Sequence, residues 1–148
     1  MKYLLDTNVL STLYDLSSPQ RPLIIEKLNR LTDSDGMIVS MLSLYEMEYA
    51  HANAPEQKQH IIRNDINHLK ANFKIVPLSV ASADCFGKLK KQFKDSRTIN
   101  KENIKKHTLD IMLASCAITE DITLVSADKI FPALQQLNKK LEIEDWTR

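Results

Sequence analysis

Glycine is nearly absent: only Gly36 and Gly87 occur in a chain of 148 residues. That scarcity leaves no flexible interdomain linker and no glycine-rich loop of the kind that cradles phosphate. Cysteine is equally sparse. Cys85 and Cys116 both fall in apolar helical spacing, which excludes a disulfide scaffold and reads as two buried free thiols. No apolar run approaches the roughly 20 residues of a spanning helix, so no membrane association is expected. Only three apolar residues separate Lys2 from Asp6, so the start lacks a signal-peptide pattern and the cytosol is the expected compartment. The serines show no nucleophile elbow. No two of His51, His60, His68 and His107 lie one helical turn apart, as a helical zinc site would require.

What remains is an ordinary globular composition, 43% hydrophobic and 26% charged, without repeats, and we read residues 1–148 as one domain. Short apolar runs recur: "YLL" before Asp6, "MIVSM" at 37–41, "KIVPL" at 74–78, "ITLVSA" at 122–127 and "LEIED" at 141–145. Continuous rather than alternating apolar character suits strands covered on both faces, as in a parallel sheet. Between them the period becomes helical. Ile62, Ile66, Leu69 and Phe73 make one such face; Ala83, Phe86, Leu89 and Phe93 make another. Leu109, Met112, Leu113, Cys116 and Ala117 mark a third, and Phe131, Leu134 and Leu137 a shorter one. Pro22 suits the first turn of a helix through Ile25 and Leu28. Strands alternating with helices predict a three-layer α/β/α sandwich around a parallel sheet of about five strands. Residues 95–103 are expected to form a long loop.

In such sheets the binding crevice lies beyond the carboxyl ends of the strands. Asp6 ends the first strand run and Asp128 follows "ITLVSA"; Glu46 and Asp110 lie at the starts of helices. If the second and fourth strands flank the first, all four carboxylates converge on one edge. Clustered carboxylates repel one another unless a cation sits among them. Oxygen ligands alone point to Mg²⁺ or Mn²⁺, which activate water and steady displacement at phosphorus.

Each acid also has a structural role open to it. "SLYE" places Ser43 and Glu46 at capping-box spacing. Asp110 in a first helical turn gains from the helix dipole, and Asp6 and Asp128 are placed to cap the helices that follow. Four such roles at this one topological position favour a common site. Asn8 is placed to hold Asp6 and Ser126 to support Asp128, although both are also turn formers. Outside the acids, the run from Lys88 to Lys106 carries eight Lys/Arg against two acids, a block suited either to phosphate or to a solvated helix face. Lys90, Lys91, Lys94 and Arg97 are its candidate RNA contacts.

The segments "LLDTNVL", "SMLSLYEMEYA", "LDIMLASCAI" and "ITLVSAD" together resemble the PIN-domain ribonucleases, particularly VapC-type toxins. The resemblance covers nearly the whole chain. It implies a compact α/β/α domain that cleaves RNA with Mg²⁺ or Mn²⁺, through a metal site carried over to Asp6, Glu46, Asp110 and Asp128. Asp6 and Asp110 correspond to the main ligands, and Asn8 and Ser126 to supporting positions. It also implies a homodimer neutralised by a VapB-type antitoxin. Ala127 departs from the polar residue common before the last acid, and Ala50 from a glycine frequent after the glutamate. A haloacid dehalogenase-type phosphatase also opens with an aspartate, but needs a second one two positions on, where this chain has Asn8. A non-catalytic PIN-like binding module has no need of four acids.

Overall fold

The computed structural model describes residues 1–148. Its strands are β1 (Lys2–Leu5), β2 (Gly36–Ser40), β3 (Lys74–Val76), β4 (Thr123–Val125) and β5 (Ile143–Glu144). They form one sheet in the order β3-β2-β1-β4-β5, every pair parallel. The first strand is therefore central, with β2 and β4 on its two sides. Five of the helices are α1 (Thr7–Tyr14), α2 (Arg21–Arg30), α3 (Met41–Asn53), α4 (Glu56–Asn72) and α5 (Val80–Ser96). After them come α6 (Lys101–Ile104), a 3-10 turn (Lys105–His107), α7 (Thr108–Thr119) and α8 (Ile130–Leu137).

Strand side chains alternate between two cores, which is why the apolar runs are continuous. Leu4, Ile38 and Leu124 pack with Leu89 and Phe93 of α5, Ile111 of α7 and Phe131 of α8. Their neighbours Leu5, Val39 and Val125 turn to the other face and meet Leu10 of α1, Ile24 of α2 and Leu69 of α4. Trp146, beyond β5, closes that second core: it is 1% exposed, lies 5.2 Å from the Tyr3 ring and donates its indole N–H to Glu144. The three-layer sandwich is thus formed by one sheet with helices on both faces. No helix is long and apolar enough to cross a membrane. Both cysteines are free, Cys85 half-buried and Cys116 buried.

Two expectations need correction. The runs at 74–78 and 122–127 yield strands of only three residues each. Pro77, which has no N–H to donate, stops β3, and the chain leaves the sheet at Ser126 to enter the site. The expected loop at 95–103 is shorter, because α5 continues through Ser96 and α6 begins at Lys101. Asn100 caps α6 by accepting the Asn103 N–H at 2.9 Å, a local bond that the charged sequence conceals. Thr98 turns the chain between the two helices at φ 52°, a left-handed conformation unusual for a β-branched residue.

Candidate active site

β1 delivers Asp6 to the carboxyl edge of the sheet, 5% exposed, between its last strand residue and the start of α1. Its backbone serves both elements: the N–H donates to Val125 O and the carbonyl accepts from Leu10. Asp6 occupies the capping position of α1, yet its carboxylate makes no capping bond. One oxygen instead accepts the Ser126 hydroxyl at 2.8 Å, a buried bond spanning β1 and β4. Because that hydroxyl donates to Asp6, its lone pairs are free to accept the Asp128 N–H, at 3.1 Å. Ser126 therefore links two acids of the set. Asp128 is exposed and its carboxylate accepts the Ile130 N–H at 3.1 Å, so it does act as a local cap for the turn into α8.

Glu46 arrives differently from the sequence expectation. The cap of α3 is Ser40, whose hydroxyl accepts from the Leu42 N–H, and helix residues begin at Met41. Ser43 and Glu46 thus lie within the helix, so no capping box forms. Both side chains are bonded to Thr7: its hydroxyl reaches Glu46 Oε1 at 2.8 Å and shares a hydrogen bond with Ser43 Oγ at 2.8 Å. Thr7 and Ser43 were missed in the sequence because hydroxyls some forty residues apart carry no spacing signal. Asn8, expected to hold Asp6, makes no hydrogen bond to it. Asn8 is exposed and lines a cavity of about 240 Å³ with Asp128, Ala127 and Thr147.

Asp110 stands in the first turn of α7. Its pKa is pushed up to about 6, first by burial and then by the negative charges of Asp128, Asp6 and Glu46. Burial also raises Asp6; the Ser126 hydroxyl and the Thr7 N–H oppose that rise, while Asp128 and Glu46 add to it. The four carboxylates therefore feel one another, and none is in an ion pair. A set of oxygen donors with no cationic side chain among them suits a hard divalent ion. No three His, Cys, Asp or Glu side chains stand close enough to hold a metal jointly. Mg²⁺ needs only one or two carboxylates and keeps several waters, so a cluster of three is not required for it. A larger cavity of about 560 Å³, lined by Leu13, Tyr14, His68 and Phe73 among others, contains none of these acids. Charge rather than cavity volume marks the site.

The basic block divides. Lys88 pairs with Asp84, Lys91 with Asp95 and Lys105 with Glu102, all on the solvated surface. Lys90 is half-buried: its ammonium lies 5.4 Å from the Phe86 ring and donates to Thr108 Oγ1 at 3.3 Å. The Arg97 guanidinium lies 5.8 Å from the Phe93 ring, and Lys94 is exposed without an acidic partner. His107 stacks edge-on against Phe93.

The model of the PIN domain family matches residues 3–137. No curated protein sequence matches the chain. Solved structures with the same fold include VapBC2 from Rickettsia felis bound to a promoter DNA fragment. It is 20% identical with a TM-score of 0.78, with 99% of each chain covered. VapBC-1 from nontypeable Haemophilus influenzae is 18% identical with a TM-score of 0.77 over the full length of both chains. DNA-bound VapBC from Salmonella typhimurium is 17% identical with a TM-score of 0.72, over 99% of this chain and 98% of that one.

Proposed function

Since this chain belongs to the PIN domain family, we propose that it is a Mg²⁺- or Mn²⁺-dependent endoribonuclease, the toxin of a VapBC-type toxin–antitoxin pair. One observation carries the chemistry: four carboxylates from four connections of the sheet act on one another with no cationic side chain between them. Asp6 and Asp110, the more buried two, would be the ligands, and Asp128 and Glu46 would complete the site through water. A divalent ion held there supplies a water activated for attack and a counter-charge to the phosphorane-like transition state. The chain's own work is to hold those oxygens in place. Ser126 fixes the Asp6 carboxylate, and Thr7 fixes Glu46.

The structural relatives are complexes of VapBC type, which supports a VapB-type antitoxin as partner; a homodimer as the assembled form is part of the same reading. The absence of any membrane-capable helix is compatible with a cytoplasmic toxin. The test is cleavage of mixed cellular RNA by purified protein with Mg²⁺, with Mn²⁺ and with chelator, beside Asp6→Asn. Metal-dependent fragments that vanish in the variant are expected. Uncut RNA in every lane, with no metal binding by calorimetry, would return the chain to a non-catalytic binding role.

A further inference from the structure

The helical positions of the basic block separate its cations into two faces. Lys90, Lys94 and Arg97 follow one another at spacings of four and three residues, which places the two lysines on one face of α5 and Arg97, its C-terminal cap, in line with them. Lys88 points away from that row and Lys91 flanks it, and both are already paired with acids one turn away. The row therefore holds the cations of this segment that form no ion pair.

Its position relative to the carboxylates follows from the packing of α5 on α7. The two helices run antiparallel. Ser82 lies beside Cys116, Lys90 beside Thr108, and Phe93 against His107. The end of α5 thus stands at the start of α7, the same end that carries Asp110. Thr108 and Asp110 lie two residues apart in that turn and so face different sides, one toward Lys90 and the other toward the sheet. From Lys90 the row continues beyond the start of α7, with Arg97 over the Phe93 ring that packs against His107. Two of its members rest on aromatic rings, Lys90 on Phe86 and Arg97 on Phe93, which limits the freedom lost when they meet an anion.

We propose that Lys90, Lys94 and Arg97 form a track for the phosphates of single-stranded RNA, adjoining the carboxylate site across the start of α7. This rests on the nuclease reading only in taking RNA as the substrate. At 1.5 Å per residue the row spans about 10 Å, with neighbouring cations about 5–6 Å apart. That suits a few consecutive phosphates of one strand; recognition of duplex RNA engages successive grooves over about 16 base pairs. Carboxylates repel a polyanion, so RNA needs a flanking counter-charge, and the track provides it outside the metal site.

The experiment measures binding of a fluorescein-labelled single-stranded oligouridylate, with chelator present so that no cleavage occurs, across a salt series. The Lys94→Gln/Arg97→Gln variant is compared with Lys88→Gln/Lys91→Gln, which removes the same charge from cations already paired with acids. Loss of two phosphate contacts is expected to lower affinity at least tenfold and to flatten the log–log salt slope by about 1.4, since each contact contributes about 0.7. The control is expected to change affinity less than threefold. Equal losses in both variants, or an unchanged slope in the first, would overturn the track. So would tighter binding of poly-glutamate than of RNA at the same salt, which would assign the row to an acidic protein segment. A selective loss in a chain that cuts no RNA would support the track while removing the nuclease reading.

Discussion

Replacing Asp110 with Asn should make the metal-free protein more stable while destroying its function. Asp110 titrates at about 6 in the fold against an ordinary 3.8. Between those values the folded protein holds a proton that the unfolded chain releases, so stability falls as pH rises through this window. Above pH 6 the whole cost is present; below about 3.8 it disappears. At about 1.4 kcal/mol per unit the rise corresponds to at most about 3 kcal/mol. Partial exposure and salt screening reduce this to about 1–2 kcal/mol. For a chain of this size that is about 3–6 °C in Tm. The asparagine keeps the side-chain volume and removes the charge. Calorimetric melting with chelator at pH 7.5 should therefore show the variant higher by this margin, with the gap closing toward pH 4.5. Added Mg²⁺ should raise the Tm of the parent more than that of the variant, because a ligand bound to the folded state alone stabilises it. A variant that melts lower at pH 7.5, or a gap that does not change with pH, would refute the argument that burial and the neighbouring carboxylates disfavour an ionised Asp110.

Two further outcomes test the supports. Thr7→Val deletes the hydroxyl that holds Glu46 and contacts Ser43. RNA cleavage should fall about 10–100-fold, as for other groups that orient metal ligands, with little change in Tm; activity equal to the parent's would remove Thr7 from the site. Trp146→Ala empties a position 1% exposed in the second core and breaks the indole bond to Glu144. It should cost about 3–5 kcal/mol in chemical denaturation, and an effect below about 1 kcal/mol would show that the C-terminal segment contributes little to the core.

The sheet was legible because burial on both faces writes itself into sequence as continuous apolar runs. Leu4 and Leu5 face opposite cores, and neither position tolerates a polar side chain. The four acids could be singled out for a related reason: Asp6 and Asp128 follow such runs, Glu46 and Asp110 lie early in apolar helices between them, and a parallel sheet sends the ends of those strands to one edge. What escaped was local. Ser43 followed by Glu46 has capping-box spacing, but Ser40 is the residue whose hydroxyl meets a free N–H. Sequence spacing singled out Ser43, and only where β2 ends and the helix begins assigns the cap to Ser40. Asn8 was expected to hold Asp6, which Ser126 bonds instead, while its neighbour Thr7 bonds Glu46. Adjacent residues at the start of α1 project about 100° apart, so one meets α3 while the other faces solvent. The basic block read as uniform because composition does not reveal which lysines already have acidic partners.

The supports of the site are arranged across its connections rather than within them. Thr7 adjoins Asp6 in sequence but bonds Glu46 of α3; Ser126 precedes Asp128 but bonds Asp6. Each hydroxyl thus belongs to one connection and fixes the acid of its neighbour, so the three connections following β1, β2 and β4 are braced side to side. This bracing matters because the charges it holds favour separation. Burial of Asp6 beside the charges of Asp128 and Glu46 would otherwise drive the carboxylate to protonate or the connections to splay apart. Neutral hydroxyls meet that need without supplying a competing positive charge. A lysine or arginine at Thr7 or Ser126 would stabilise the same carboxylates more strongly, and would also occupy the position that a divalent ion requires. The choice of uncharged donors at both places is therefore what a fold must make if it is to hold its acids together and still leave them open to a cation.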